Sequence, residues 1–266
     1  MRAVPLESRT ASDFLLEKTF AENAVFFIPR RPVLCRSDVL VAIARGKRVL
    51  HVGCVDHLAI LDRKMADGTW LHGKLAAAAA RCVGVDINGD GIVRLRRAGY
   101  KDVIHGDVSS PELIRLIASE KWDYAIFGEV LEHVDNPVGF LARFREAYAN
   151  SVEEAVITVP NAFTIGNVLS SIRGCERINT DHRWWFSPYT LAKICSLAGF
   201  EPHNIELARF SEGGGLKNWA RTLLTGRFPM FAQDLIMYAR LKPAAGGSEA
   251  PPRSARARNG HPLVRV

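Results

Sequence analysis

Carboxylates recur in this chain where short apolar runs end, and that placement suggests what they could hold. The run RVLHVG at 48–53 leads into Cys54-Val55-Asp56-His57. CVGV is followed by Asp86, VIH by Gly106-Asp107, DYAIFG by Glu129, and AVITVP by Asn161. A carboxylate accepts paired hydrogen bonds, so acids at successive run ends suit a ligand rich in hydroxyl and amine donors, such as a ribose diol or an exocyclic amine. One nucleoside would satisfy several of them. The plainer role of Asp86 and Asp107 is to cap the helices that follow, because acids are favoured at helix starts.

These side chains need elements to hold them, and the apolar pattern supplies a regular set. Strands are expected at 48–53, 82–87, 102–105, 123–128 and 155–160, with two more over FEPHNIELARF and DLIMYARLK. Helices are expected at 70–80, carried by the alanines of 76–80, at 91–98, and at 111–119, where a serine and Pro111 signal the start. Asn136 and Pro137 open another, with Phe140, Leu141, Phe144 and Tyr148 on one face. Ser187 and Pro188 open the last, with Leu191, Ile194, Cys195 and Ala198 inward and Gly199 as its stop. The connection at 54–69 is expected to be long and polar, and a loop is expected after Asn161. Strand and helix alternate five times before two strands close the pattern, which implies an α/β fold. The sheet is expected to be mainly parallel and seven-stranded, Rossmann-like, with helices on both faces. In such a sheet ligands bind beyond the carboxyl ends of the strands, where the acids stand. Residues 10–45 read as helical and are expected to form an N-terminal helical cap. The resulting division is an extension at 1–45, a catalytic domain at 46–242 and a tail at 243–266.

Composition narrows the classes. With 266 residues, 48% hydrophobic and 24% charged, the chain can bury one sizeable core. No stretch approaches the roughly 18 apolar residues that span a bilayer, and no secretory leader is recognisable. Five scattered cysteines, Cys35, Cys54, Cys82, Cys175 and Cys195, read as reduced core thiols of a cytoplasmic protein. The net charge is +7, but residues 243–266 hold Arg253, Arg256, Arg258 and Arg265 against Glu249, hence +3 of it. That tail, rich in Pro, Gly, Ala and Ser, is expected to be disordered, and the body left at +4 gives no expectation of a nucleic-acid partner.

Taken in order, VLHVGC, VGVDI, HGDV, DYAIFGEVLEHVDNP, VITVPN and HRWWFSPYTLAKICSLAGF resemble class I S-adenosylmethionine-dependent methyltransferases over roughly residues 46–241. The resemblance implies S-adenosylmethionine as cofactor. Gly53 with His51 and Cys54 would approach its methionine part, and Asp86 with Ile87 would hold the ribose. Gly106 and Asp107 would meet the adenine amine with Val108 against the ring, and Glu129 would contact cofactor or substrate. The family usually carries an acid and three alternating glycines where this chain reads His51-Val52-Gly53-Cys54-Val55-Asp56-His57. Side chains at 55 and 57 limit how closely the backbone approaches a ligand.

Methyl transfer gains chiefly from holding the acceptor in line, and an alcohol acceptor also gains from a base. His133 is the candidate base beside Glu129, because imidazole in general suits proton transfer near neutral pH; packing at the entry of helix 137–148 is its plainer role. Glu129, Glu132, His133 and His182 also resemble the metal-binding residues of ubiquinone-pathway O-methyltransferases and of small-RNA 3′-end ribose methyltransferases. A divalent metal is possible on that resemblance but not expected, because EVLEH also occurs in members without metal. The stretch from Asp181 to Phe186 resembles the family's substrate-side loop. It offers His182, Arg183, Trp184 and Trp185, with Asn161, as substrate contacts, unless the aromatics belong to the core. Gly213-Gly214-Gly215, followed by Lys217, Trp219, Arg221 and Arg227, suggests a mobile basic insertion.

The expected function is therefore methyl transfer to oxygen or nitrogen of a small molecule or a sugar or glycan precursor. The alternatives are a metal-assisted RNA 3′-end ribose methyltransferase and a non-catalytic scaffold that kept the fold. A nicotinamide-dependent oxidoreductase is disfavoured, because G-x-G-x-x-G is absent and Asp86 lies 33 residues after Gly53 instead of about 20.

Overall fold

The computed structural model describes residues 4–210 and 216–242. After a two-residue pair, β1 (Val4–Pro5) with β2 (Phe26–Phe27), seven strands form one sheet. They are β3 (Arg48–Val52), β4 (Arg81–Asp86), β5 (Val103–His105), β6 (Trp122–Gly128), β7 (Val152–Pro160), β8 (Phe200–Ala208) and β9 (Asp234–Leu241), in the order β5-β4-β3-β6-β7-β9-β8. The first five are parallel, and β9 runs antiparallel between β7 and β8. The chain winds outward from β3 to one edge, returns to β6 and winds the other way. A crevice therefore opens between the carboxyl ends of β3 and β6, where consecutive helices leave to opposite sides.

Helices cover both faces. α2 (Arg36–Ala44) and α4 (Leu71–Ala78) bury Leu40, Ala44 and Leu75 against Val49, Ile126, Val156 and Ile236. On the other face α6 (Pro111–Ile117), α7 (Pro137–Tyr148) and α9 (Pro188–Leu197) pack over Leu50, Phe127, Ile157 and Leu235. α7 shows how locally this is specified. Asn136 Oδ1 accepts from Gly139 N at 2.9 Å, Pro137 occupies the first turn, and Leu141, Phe144 and Tyr148 follow at helical spacing, each fully buried. Burial of each stabilises by about 1.5–3 kcal/mol. Ser110 and Ser187 cap α6 and α9 as expected, the latter in a capping box with Thr190.

Four expectations are corrected. The connection at 54–69 contains α3 (Leu58–Ala66), which was illegible because His57 makes no capping bond and only Leu61 is buried. α8 (Ile165–Ile172) replaces the expected loop after Asn161; Thr164 caps it, and Ile165, Val168, Leu169 and Ile172 recur at helical spacing, although none is fully buried. α5 (Gly89–Arg97) matches its prediction closely. The N-terminal region is not a helical cap: only α1 (Arg9–Leu15) and α2 are helical, and the chain between them is largely extended or irregular. Finally, Cys175 is exposed while the other four cysteines are buried. Between the last strands, residues 216–227 form α10 (Leu216–Arg227), whereas Gly213, Gly214 and Gly215 lie outside the described residues, as does the tail at 243–266.

Candidate functional site

The crevice between β3 and β6 is the mouth of a cavity of about 1020 Å³, at the upper end of small-molecule sites and roomy enough for a cofactor and an acceptor together. Its floor is the loop after β3. Gly53 adopts φ +76°, and a Cβ there would lie 2.5 Å from Val130 Cγ2, so only glycine fits. Val55, which replaces an expected glycine, and its neighbour Cys54 are accommodated by glycines elsewhere. A Cβ on Gly91 of α5 would lie 2.2 Å from Val55 Cγ1, and one on Gly84 of β4 would lie 2.8 Å from Cys54 Sγ. Cys54 thus turns into the core, and Val55 leans on α5. The loop is fastened by Gly53 N to Val85 O at 2.9 Å, Trp70 Nε1 to Cys54 O at 3.0 Å, and an ion pair of Lys64 with Asp56.

Asp86 ends β4 beside that loop. Its Oδ2 accepts from Val55 N and its Oδ1 from Asn88 N, each at 2.8 Å. Burial raises its pKa, and these backbone donors oppose the rise. Each oxygen keeps a second acceptor site, so a diol can still bind. Below it, His51 and His72 stack with their Nδ1 atoms 3.1 Å apart, both fully enclosed. Burial lowers both pKa values, that of His72 to about 4. His51 Nε2 is buried with no hydrogen-bond partner, and a Cβ on Gly128 would lie 3.1 Å from it.

Across the crevice, β6 is followed by Glu129 at φ +59°, a strained conformation for a residue with a side chain. Its Oε1 lies 3.2 Å from Arg36 NH1, and Arg36 Nε lies 3.5 Å from Asp234 Oδ2. Arg36 NH1 also donates to Thr158 Oγ1 at 3.2 Å. Burial works against the charge of Arg36, but Glu129 and Asp234 outweigh it and its pKa is raised. Glu132 completes the group. It is fully enclosed, both carboxyl oxygens lack partners, and burial together with the charge of Glu129 raises its pKa to about 8. Burial and Glu129 also push Asp234 well above the carboxylate range. Three carboxyls thus lie around one guanidinium.

Glu132, His133 and His182 offer ligand atoms that all lie within 4.8 Å of one another. His133 Nδ1 lies 3.1 Å from Asp181 O, which fixes the tautomer with the proton on Nδ1 and leaves Nε2 as the basic nitrogen. His182 Nδ1 is buried and unpartnered, and burial, then His133, lowers the pKa of that ring. The loop carrying His182 is strapped to the 3-10 turn Leu131–His133 through Arg183 N to Glu132 O at 2.7 Å and Trp184 Nε1 to Val134 O at 2.8 Å.

Of the residues expected from sequence, His51, Gly53, Cys54, Asp86, Ile87, Glu129, His133, Asn161, His182 and Trp185 line the cavity. Gly106, Asp107 and Val108 lie outside its wall. Asp107 Oδ1 accepts from Ser109 N at 2.8 Å, and Val108 is buried with its carbonyl accepting from Tyr148 Oη at 2.7 Å. Arg183 and Trp184 also lie outside the wall; Arg183 pairs with Asp135 at 2.6 Å. Asn161 is fully buried, its Nδ2 donating to Met230 O and Ala232 O and its Oδ1 accepting from Phe163 N. Sequence reasoning missed Arg36 and Asp234, for which no local signal exists. It also missed a role for His57, whose ring centroid lies 6.2 Å from that of His133 and whose Nδ1 lies 3.8 Å from Asp181 Oδ2.

The sheet order, the positive-φ glycine after β3, the acid ending β4 and the cavity at the switch between β3 and β6 define a Rossmann-like α/β fold. Among solved structures, the chain is similar to a possible histamine N-methyltransferase, S-adenosylmethionine-dependent, from Thermotoga maritima (14% identity, 77% of this chain and 87% of that one, TM-score 0.50). It is also similar to magnesium protoporphyrin IX methyltransferase from Synechocystis PCC 6803 with bound S-adenosylhomocysteine (18%, 77% and 82%, TM-score 0.48). A third is the small RNA methyltransferase HEN1 (16%, 85% of this chain but 27% of that one, TM-score 0.49). Identities this low speak to fold alone. No curated protein matches the chain by sequence. The family described as Methyltransferase domain matches residues 29–205. The chain belongs to that family: it is an S-adenosylmethionine-dependent methyltransferase, and S-adenosylmethionine is its cofactor.

Proposed function

We propose that the chain methylates a hydroxyl or amine of a small molecule, such as a sugar or glycan precursor. The carrying observation is that one cavity joins the loop at Gly53 and the carboxylate of Asp86 to the cluster of Glu132, His133 and His182. The first group suits the cofactor: a cradle that a Cβ would fill, and a carboxylate with spare acceptor sites for a diol. When bound, the cofactor supplies a methyl group on a sulfonium, which leaves as a neutral thioether.

The chain's own residues position the acceptor and take its proton. His133 Nε2, with Nδ1–H committed to Asp181 O, accepts the proton of an acceptor hydroxyl. The same cluster fits a divalent ion, because two enclosed carboxylate oxygens and one imidazole nitrogen lack partners. Glu132, His133 and His182 would hold it, His133 Nε2 then serving as a ligand in place of its role as base, and the ion would lower the pKa of a bound hydroxyl. Under this reading residues 46–242 form the catalytic domain, to which the N-terminal extension contributes Arg36.

Calorimetric titration tests the cofactor half, with S-adenosylmethionine and S-adenosylhomocysteine expected to bind. No heat with either at millimolar concentration, while NADH binds, would sink the reading. Methyl incorporation into sugar precursors in preference to single-stranded RNA tests the acceptor half, with and without magnesium or manganese. Incorporation into RNA alone would put the ribose-methyltransferase alternative first.

A further inference from the structure

More than half of the large apolar side chains left exposed among the described residues lie in two stretches, 163–184 and 210–230. Both stretches border the cavity. α8 contributes Ile165, Gly166 and Asn167 to its wall, and α10 contributes Leu224 and Thr225. The two are tied together where Asn161 Nδ2 binds Met230 O at 2.9 Å and Ala232 O at 2.7 Å. Away from the cavity they present Phe163, Leu169, Ile172, Trp219, Leu223 and Phe228 to solvent, with Ile172 at 76%, Trp219 at 64% and Leu223 at 63% exposure. An apolar rim of this extent around a cavity mouth marks a docking surface.

Charge selects the occupant. From Leu216 to Phe231 the sequence holds Lys217, Arg221 and Arg227 and no acid, and α8 itself carries no charge at all. Trp and Leu on a helix whose only charges are basic, with Phe228 directly after it, is the composition of segments that lie in the interface of an anionic bilayer. A second copy of the chain is the weaker fit, since a two-fold contact would bring like charges together. RNA is weaker too, because Leu169, Ile172 and Leu223 offer neither stacking nor phosphate contacts. The sequence after Lys242 adds four arginines against one acid, a second signal of the same sign.

We propose that the rim formed by α8 and α10 seats on an anionic lipid surface, so that the cavity receives the polar head of a lipid-borne acceptor. The second half rests on the small-molecule acceptor reading given above. α10 then works on both faces, closing the cavity with Leu224 and Thr225 and meeting the bilayer with Trp219 and Leu223.

The test is co-sedimentation of the full chain with phosphatidylglycerol–phosphatidylcholine vesicles against phosphatidylcholine alone. Partitioning is expected to be at least about tenfold stronger on the anionic vesicles and to weaken with salt. W219E/L223E is expected to lose at least about tenfold of that partitioning, with far-ultraviolet circular dichroism and cofactor binding unchanged; truncation after Lys242 is expected to weaken it about threefold. Three results would overturn the proposal: no preference for anionic vesicles, partitioning indifferent to W219E/L223E, or a dimer that W219E/L223E splits without any vesicle binding. Cofactor binding measured on the same samples separates this failure from failure of the methyltransferase site.

Discussion

Gly91→Ala puts the compensation between the cofactor loop and α5 to a quantitative test. Gly91 sits in the first turn of α5, where exchange for alanine would ordinarily stabilise by about 1 kcal/mol. Here the new Cβ would meet Val55 Cγ1 at 2.2 Å, Cγ2 at 3.0 Å and Cβ at 3.2 Å. Valine has few χ1 choices, and turning the side chain leaves its Cβ in place, so the loop backbone must move, at a cost of about 2–3 kcal/mol. The net expectation is destabilisation by about 1–2 kcal/mol. Because Val55 N is the donor to Asp86 Oδ2, the same shift is expected to weaken S-adenosylmethionine binding about tenfold, or ~1.4 kcal/mol. Val55→Gly alone should cost about 1–2 kcal/mol through lost burial and added chain freedom. Combined with Gly91→Ala it should fall within about 1 kcal/mol of the parent, a coupling of about 2–3 kcal/mol. Urea unfolding and calorimetric titration of the four proteins read both quantities. A Gly91→Ala variant as stable as the parent, or strictly additive effects, would refute the account of how the loop tolerates side chains.

Asp86→Ala is expected to weaken cofactor binding by about 1.5–3 kcal/mol, whereas His133→Ala should chiefly lower turnover; equal affinity losses in a binding titration would show the roles misassigned. The enclosed histidines give a pH signature. Because the folded pKa values of His51 and His72 are lowered, the unfolded chain takes up protons first. Stability should hold above about pH 6.5 and fall below it by ~1.4 kcal/mol per pH unit for each histidine, until the folded imidazole also titrates, near about 4 for His72. His72→Gln should remove about 3 kcal/mol of that acid sensitivity, and unchanged acid unfolding would contradict it. Truncation after Lys242 should leave melting temperature and cofactor affinity intact, since residues 243–266 have no core-forming pattern; loss of either would contradict this.

The alternation of strands and helices was legible because each element carries its own local signal. Asn136-Pro137 and Ser187-Pro188 start helices through bonds made within one turn, and runs such as AVITVP are apolar on both faces because both are covered. Asp86 and Glu129 could be placed for the same reason, since Asp86 is the last residue of β4 and Glu129 follows directly on β6. α3 escaped notice because His57 makes no capping bond and only Leu61 is buried, whereas α8 carried a readable signal in the cap Thr164 and in Ile165, Val168, Leu169 and Ile172 at helical spacing. Only the tertiary structure brought Arg36 and Asp234 to Glu129 and Glu132, residues from opposite ends of the chain whose pairing leaves no trace in local spacing. It alone showed that Gly84 and Gly91 vacate the room that Cys54 and Val55 occupy, because a steric match is a property of two elements and not of either. It also showed that Asp107 accepts from Ser109 N and that Val108 is buried with its carbonyl on Tyr148, contacts that the sequence pattern did not reveal.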